Sequence, residues 1–128
     1  MFEALTVSED FVKLSIILII TFIISACSDT VSSHYSTYDE ASRDRLFIRG
    51  WLPDILPKST TQISTHNDLD LNTSRGKFNI PEKDLGVFIA QLEKTDTNTY
   101  SYKSDSVKHY WVFTVQDTGN VVYVLKSR

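Results

Sequence analysis

The chain has 128 residues, 41% of them hydrophobic and 12% aromatic, and a formal net charge of −3. That length carries one small domain with a modest core. Thirteen basic against sixteen acidic residues give no electrostatic case for nucleic acid or for a polybasic membrane patch.

The first element in the chain is apolar. Leu14 to Ile24 is an uncharged run that ends in Ile24-Ser25-Ala26-Cys27, and Cys27 is the single cysteine. The run has the length of a signal-peptide core and is short for a membrane span, which takes about 20 residues. Small residues at Ser25 and Ala26 suit a peptidase cleft. The pattern is that of a lipoprotein signal peptide: Ile24, Ser25 and Ala26 form the lipobox, and cleavage would leave Cys27 as the acylated first residue. Diacylglycerol plus an N-acyl chain such as palmitate exceeds the two signals that stable anchoring needs. The other reading is an uncleaved anchor helix over Phe11–Cys27. Glu3, Glu9 and Asp10 make the start acidic where leaders are basic. A start at Val12 gives an ordinary leader, so residues 1–11 are expected to be a mis-annotated extension. Ser28, rather than an aspartate, follows the cysteine, which favours the periplasmic face of the outer membrane over the inner membrane; Asp29 comes one position late.

Removing Glu3, Glu9, Asp10 and Lys13 with the leader leaves 12 basic and 13 acidic residues. With Cys27 acylated no disulfide forms, and packing alone holds the fold. The expected organisation is a leader over 1–26, a lipidated cysteine and flexible tether over 27–37, and a single domain over 38–128. Serines and the absence of periodicity mark the tether.

Thr37-Tyr38-Asp39-Glu40 fits a capping box and predicts a helix over Asp39–Arg49 that stops at Gly50. Ala41, Ile48 and Trp51 or Leu52 would share its buried face. Trp51 to Pro57 reads as a proline-punctuated plug. Ile63, Leu69 and Leu71 alternate with polar residues and predict a half-buried strand over Thr61–Leu71. A turn over Asn72–Gly76 leads to a short strand over Lys77–Ile80. Pro81 opens a second helix, whose stripe is Leu85, Phe88, Ile89 and Leu92. It ends near Lys94. Asp96 to Ser106 is polar, with a short strand around Tyr100 and Tyr102. His109–Gln116 and Val121–Leu125, joined through Asp117-Thr118-Gly119-Asn120, form a hairpin. The order α-β-β-α-β-β predicts an α+β domain: an antiparallel sheet with two helices on one face.

Chemistry-bearing residues are sparse. Asp68, Asp70, Asn72 and Ser74 resemble half a calcium loop, but Thr73 stands where glycine is needed and Asn79 where glutamate is. The reading is therefore a polar strand face, with no metal and no cofactor. His66 and Asp68, two apart on a strand, share a face and would be an acid–base pair. A hydrolase would need His66, Asp68 or His109 to converge. No nucleophile elbow surrounds any serine. Trp51 and Asp54 in the plug, and Tyr100 and Tyr102 in the polar segment, are the candidate contact residues.

The residues Tyr38-Asp39 with Ala41, then Arg49-Gly50-Trp51-Leu52-Pro53 through Leu56-Pro57, Ile63, Asn67-Asp68-Leu69-Asp70-Leu71-Asn72, Gly76 with Phe78, and Trp111 with Phe113 form a recurring pattern. It resembles the YbbD-type head domain of small bacterial lipoproteins, over nearly the whole mature chain. The resemblance implies one domain on a lipid anchor and carries over no catalytic residue. The expected function is a non-enzymatic envelope lipoprotein that binds a protein or the cell wall. An immunity or inhibitor lipoprotein against a secreted toxin is the alternative, and a small envelope hydrolase the third.

Overall fold

The computed structural model describes residues 29–105 and 108–127. The leader, the lipobox and Cys27 lie outside the described residues. Among those residues no helix is long and apolar enough to cross a membrane.

Seven strands make one antiparallel sheet: β1 (Thr30–Thr37), β2 (Thr61–Asp68), β3 (Thr73–Asn79), β4 (Glu93–Asp96), β5 (Thr99–Lys103), β6 (His109–Val115) and β7 (Asn120–Ser127). Their order across the sheet is β1-β2-β3-β7-β6-β5-β4. Two helices interrupt them, α1 (Tyr38–Arg43) and α2 (Glu82–Ile89). The α+β class and the antiparallel sheet are as expected, but the order is β-α-β-β-α-β-β-β-β.

The two-residue period of the strands sorts side chains onto two faces. Tyr35, Ile63, Phe78, Val121, Tyr123, Leu125, Trp111, Phe113 and Val115 all point to one face and are buried. Ala41 of α1 and Phe88 of α2 join the same cluster, so both helices cover that inner face. Phe88 meets Phe78 and Phe113 edge to face, with centroids 5.9 and 5.3 Å away, a geometry that aromatic quadrupoles favour. Asn67, Ser74 and Tyr123 pair their polar groups inside, while Thr65 Oγ1 is buried without a hydrogen-bond partner among the described residues. The Ser74 hydroxyl donates to Asn67 Oδ1 at 2.6 Å and lies 2.8 Å from the Tyr123 hydroxyl. Burial pushes the Tyr123 hydroxyl up to about 12.

Five expectations are corrected. The flexible tether is not one: Thr30–Thr37 is β1, held by pairing with β2 from Thr30↔Asp68 to Thr37↔Thr61. Its serines are solvated edge residues, which composition alone does not distinguish from a linker. The domain therefore starts before residue 38. The first helix stops at Arg43, not Arg49. Thr37 caps it as expected, its hydroxyl accepting from the Glu40 N–H at 3.2 Å, but Arg45 at φ 63° turns the chain out of the helix. Leu46 is buried instead, and Ile48 is 75% exposed. The second strand ends at Asp68, because Asp68 Oδ1 accepts the N–H groups of Asp70 and Leu71 and folds the chain into a turn. Leu69 and Leu71 consequently face solvent rather than the core. Residues 73–76, expected as turn, belong to β3. The second helix ends at Ile89, and the charged strand β4 follows it.

Candidate functional site

Two concave surfaces stand out, one on each face of the sheet. On the outer face, a concavity of about 700 Å³ is lined by Ser32, His34, Ser64, His66, Arg75 and Lys77, with Val122 and Val124 behind them. The register explains the grouping. Ser32 pairs with His66 and His34 with Ser64 across β1 and β2, and His66 pairs in turn with Arg75 and Ser64 with Lys77 across β2 and β3. The Ser32 hydroxyl lies 2.7 Å from His66 Nδ1, and the Ser64 hydroxyl 3.0 Å from His34 Nδ1. Such contacts belong to the closer, non-hydrogen-bonded positions of an antiparallel pair. In both contacts it is Nδ1 of the imidazole that meets the serine. Arg75 and Lys77 meet no carboxylate within ion-pair distance among the described residues.

Gly76 makes this face and the core beneath it compatible. A Cβ there would lie 2.0 Å from the Ser64 carbonyl oxygen and 2.9 Å from the Tyr123 ring.

On the inner face, a cleft of about 360 Å³ lies between the Gly50-to-Asp54 loop and the β5–β6 pair. Trp51, Asp54 and Tyr102, three of the four expected contact residues, line it. Tyr100 does not; it pairs with Phe113 and packs against the core. Tyr102 is also half-buried, against Trp111 at 6.0 Å, so the two tyrosines are not the exposed pair expected. The cleft's polar groups largely serve the fold. Tyr38 donates to Asp54 at 2.6 Å, and burial together with that contact pushes the Tyr38 hydroxyl up to about 12. Trp111 Nε1 donates to the Trp51 carbonyl at 3.0 Å. Arg49 spends its guanidinium on Asp44 at 3.2 Å. Asn72 reaches His109 Nε2 at 3.3 Å, and His109 Nδ1 is buried without a hydrogen-bond partner among the described residues.

His66 and His109 lie on opposite faces of the sheet, so His66, Asp68 and His109 do not converge. His66 and Asp68 do share a face, but Asp68 Oδ1 is committed to the turn. The weak metal candidates are likewise dispersed: Asp68 serves its own turn, Asp70 faces Asp29, and Asn72 faces His109. Among the described residues no three metal-ligating side chains gather.

Residues 29–79 match the YbbD head domain family model. The head segment thus runs from the residue before β1 to the last residue of β3. It supplies α1, the Trp51 loop, the Ser–His rungs and both outer-face cations. The match is shorter than the resemblance, which reached Trp111 and Phe113; the remaining wall of each concavity comes from strands beyond the head segment. No curated protein and no solved structure matches the chain.

Asp70 allows a simple test of the turn. Its carboxyl is held above the usual carboxylate range, first by the hydrogen bond with Asp29 and then by that residue's charge. A raised folded value means that the pair's contribution to stability is full below the ordinary carboxylate range and is lost as pH rises through the raised value. Asp70→Asn is expected to raise Tm slightly in neutral buffer and to leave it unchanged in acid. A lower Tm in neutral buffer would contradict this reading.

Proposed function

We propose that this chain is a lipid-anchored protein of the bacterial envelope, held by acylated Cys27 at the periplasmic face of the outer membrane. Its domain is a non-enzymatic interaction module that takes up an extended, acidic segment of a partner protein along β1. The supporting observation is the contrast between the two edges of the sheet. β4 is short, carries Glu93, Lys94 and Asp96, and has a register shift against β5; these are the usual guards against strand addition. β1 has eight residues, no charge and no proline, and among the described residues no strand lies outside it. The Ser36 N–H turns away from β2 to the Glu40 carboxylate at 2.8 Å. Strand alternation aims the N–H groups of His34 and Ser32 the same way. A strand added there gains main-chain hydrogen bonds. Alternate side chains of that strand would lie beside Ser32 and His34 on the face that carries Arg75 and Lys77, which suits acids.

The test uses the full chain in its own membrane, with a photo-cross-linking residue at Ser32. A cross-link to a partner is expected, and His34→Pro should abolish it by removing one outward N–H while leaving Tm nearly unchanged, as edge positions tolerate proline. A cross-link that survives the proline, or that forms equally from Val87 on α2, would contradict strand addition at β1.

A further inference from the structure

Asp29, the first described residue, lies at the end of the sheet that carries the turn between β2 and β3. Ser28 alone separates Cys27 from Asp29 in the sequence, so at most about 7 Å of chain lies between their Cα atoms. The Asp29 carbonyl accepts the Leu69 N–H at 3.0 Å. An anchor on Cys27 would therefore be tethered beside the turn between β2 and β3. That turn presents two leucines to solvent, Leu69 at 53% and Leu71 at 70% exposure.

The tip is built rather than loose. Asp68 Oδ1 holds the N–H groups of Asp70 and Leu71, Asn72 closes the turn at φ 52°, and its amide reaches His109 on β6. The strand registers place Lys103, Lys108 and Lys126 at this same end, around the start of β6, beside the carboxylates of Asp29, Asp68 and Asp70. The opposite end carries the turns with Asp96 and Asp117 and the acidic first turn of α2. Lysines near a bilayer surface favour anionic headgroups, and leucines beside an acyl anchor gain from leaving water.

We infer that the β2–β3 turn is a bilayer-contacting tip, with Leu69 and Leu71 entering the interface of the membrane that holds acylated Cys27 and the three lysines facing its anionic headgroups. This rests on the lipid-anchor reading. It orients the domain: the strands stand on the membrane, the β6–β7 turn points away, and the β1 edge runs upward from the surface.

The test uses the full acylated chain in vesicles of phosphatidylethanolamine and phosphatidylglycerol. With Cys27 acylated, Leu71→Cys and Asp117→Cys each give a unique thiol for an environment-sensitive fluorophore. The expected result is blue-shifted emission at position 71, quenched by nitroxide-bearing lipids, and unquenched aqueous emission at position 117. Mass spectrometry of the same sample reads the acyl chains. An acylated chain whose position-71 probe is as wet as its position-117 probe overturns the tip alone. A chain without acyl groups on Cys27 overturns the anchor reading and the tip with it.

Discussion

Phe88→Ala is expected to destabilise the domain by about 3–5 kcal/mol, the range for removing a fully buried phenylalanine. Small domains have roughly 5–15 kcal/mol in total, so the variant would sit near the edge of folding. Phe88 is wholly buried and is the buried residue of α2. Its ring fills the angle between Phe78 on β3 and Phe113 on β6, two strands that flank β7. Truncation removes both edge-to-face contacts and leaves a void under the centre of the sheet. Leu85, Ile89 and Leu92 are only partly buried against the same core and cannot hold α2 by themselves. Phe88→Leu keeps most of the volume and should cost about half as much or less. Urea denaturation followed by circular dichroism measures both. A loss under about 1 kcal/mol for the alanine variant would show that α2 is not pinned by this ring.

Alanine at two of the chain's glycines is expected to act in opposite directions. Gly76→Ala places a methyl 2.0 Å from the Ser64 carbonyl oxygen, a backbone atom that moves only if β2 moves, and 2.9 Å from the buried Tyr123 ring. β3 lies between β2 and β7 and cannot shift away from one without pressing on the other. Overpacking of this kind costs about 1–3 kcal/mol in a side-chain core, and a backbone clash puts this variant at about 3 kcal/mol or more. Gly86 lies in α2, and nothing comes within 4 Å of the place a methyl would take there. Gly86→Ala should therefore stabilise by up to about 1 kcal/mol through helix propensity. Opposite shifts in Tm separate steric need from conformational freedom. A Gly76→Ala variant as stable as the parent would show that the β2–β3–β7 approach is looser than described.

What could be read from the sequence followed how strongly each segment repeats a pattern. The stripe of α2 and the hairpin of β6 and β7 were legible because Leu85, Phe88, Val121, Tyr123 and Leu125 repeat at the period of their element. Thr37 was legible as a cap because a hydroxyl three residues ahead of Glu40 has a local use. β1 was not, since an edge strand that buries Tyr35 but leaves Ser32 and His34 in water has no one-sided pattern; its order comes from β2. Gly76 in the middle of β3 looked like turn chemistry because its requirement is a close approach by residues distant in sequence. Leu69 and Leu71 continued the alternation of β2, and only the side-chain bonds from Asp68 end the strand. Of the candidate contact residues, Trp51, Asp54 and Tyr102 are brought to one cleft. The Ser–His rungs on the outer face went unread, because pairing Ser32 with His66 requires knowing that β1 exists.

The proposed presentation of the β1 edge and the proposed bilayer tip at Leu69 and Leu71 both rest on the proposed attachment at Cys27. Intact-mass spectrometry of the chain extracted from membranes tests it most directly. The predicted mass is that of residues 27–128 carrying diacylglycerol on the cysteine sulfur, with or without a further acyl chain on its amine. A chain that retains its leader, or one that begins elsewhere with a free Cys27 thiol, would contradict it.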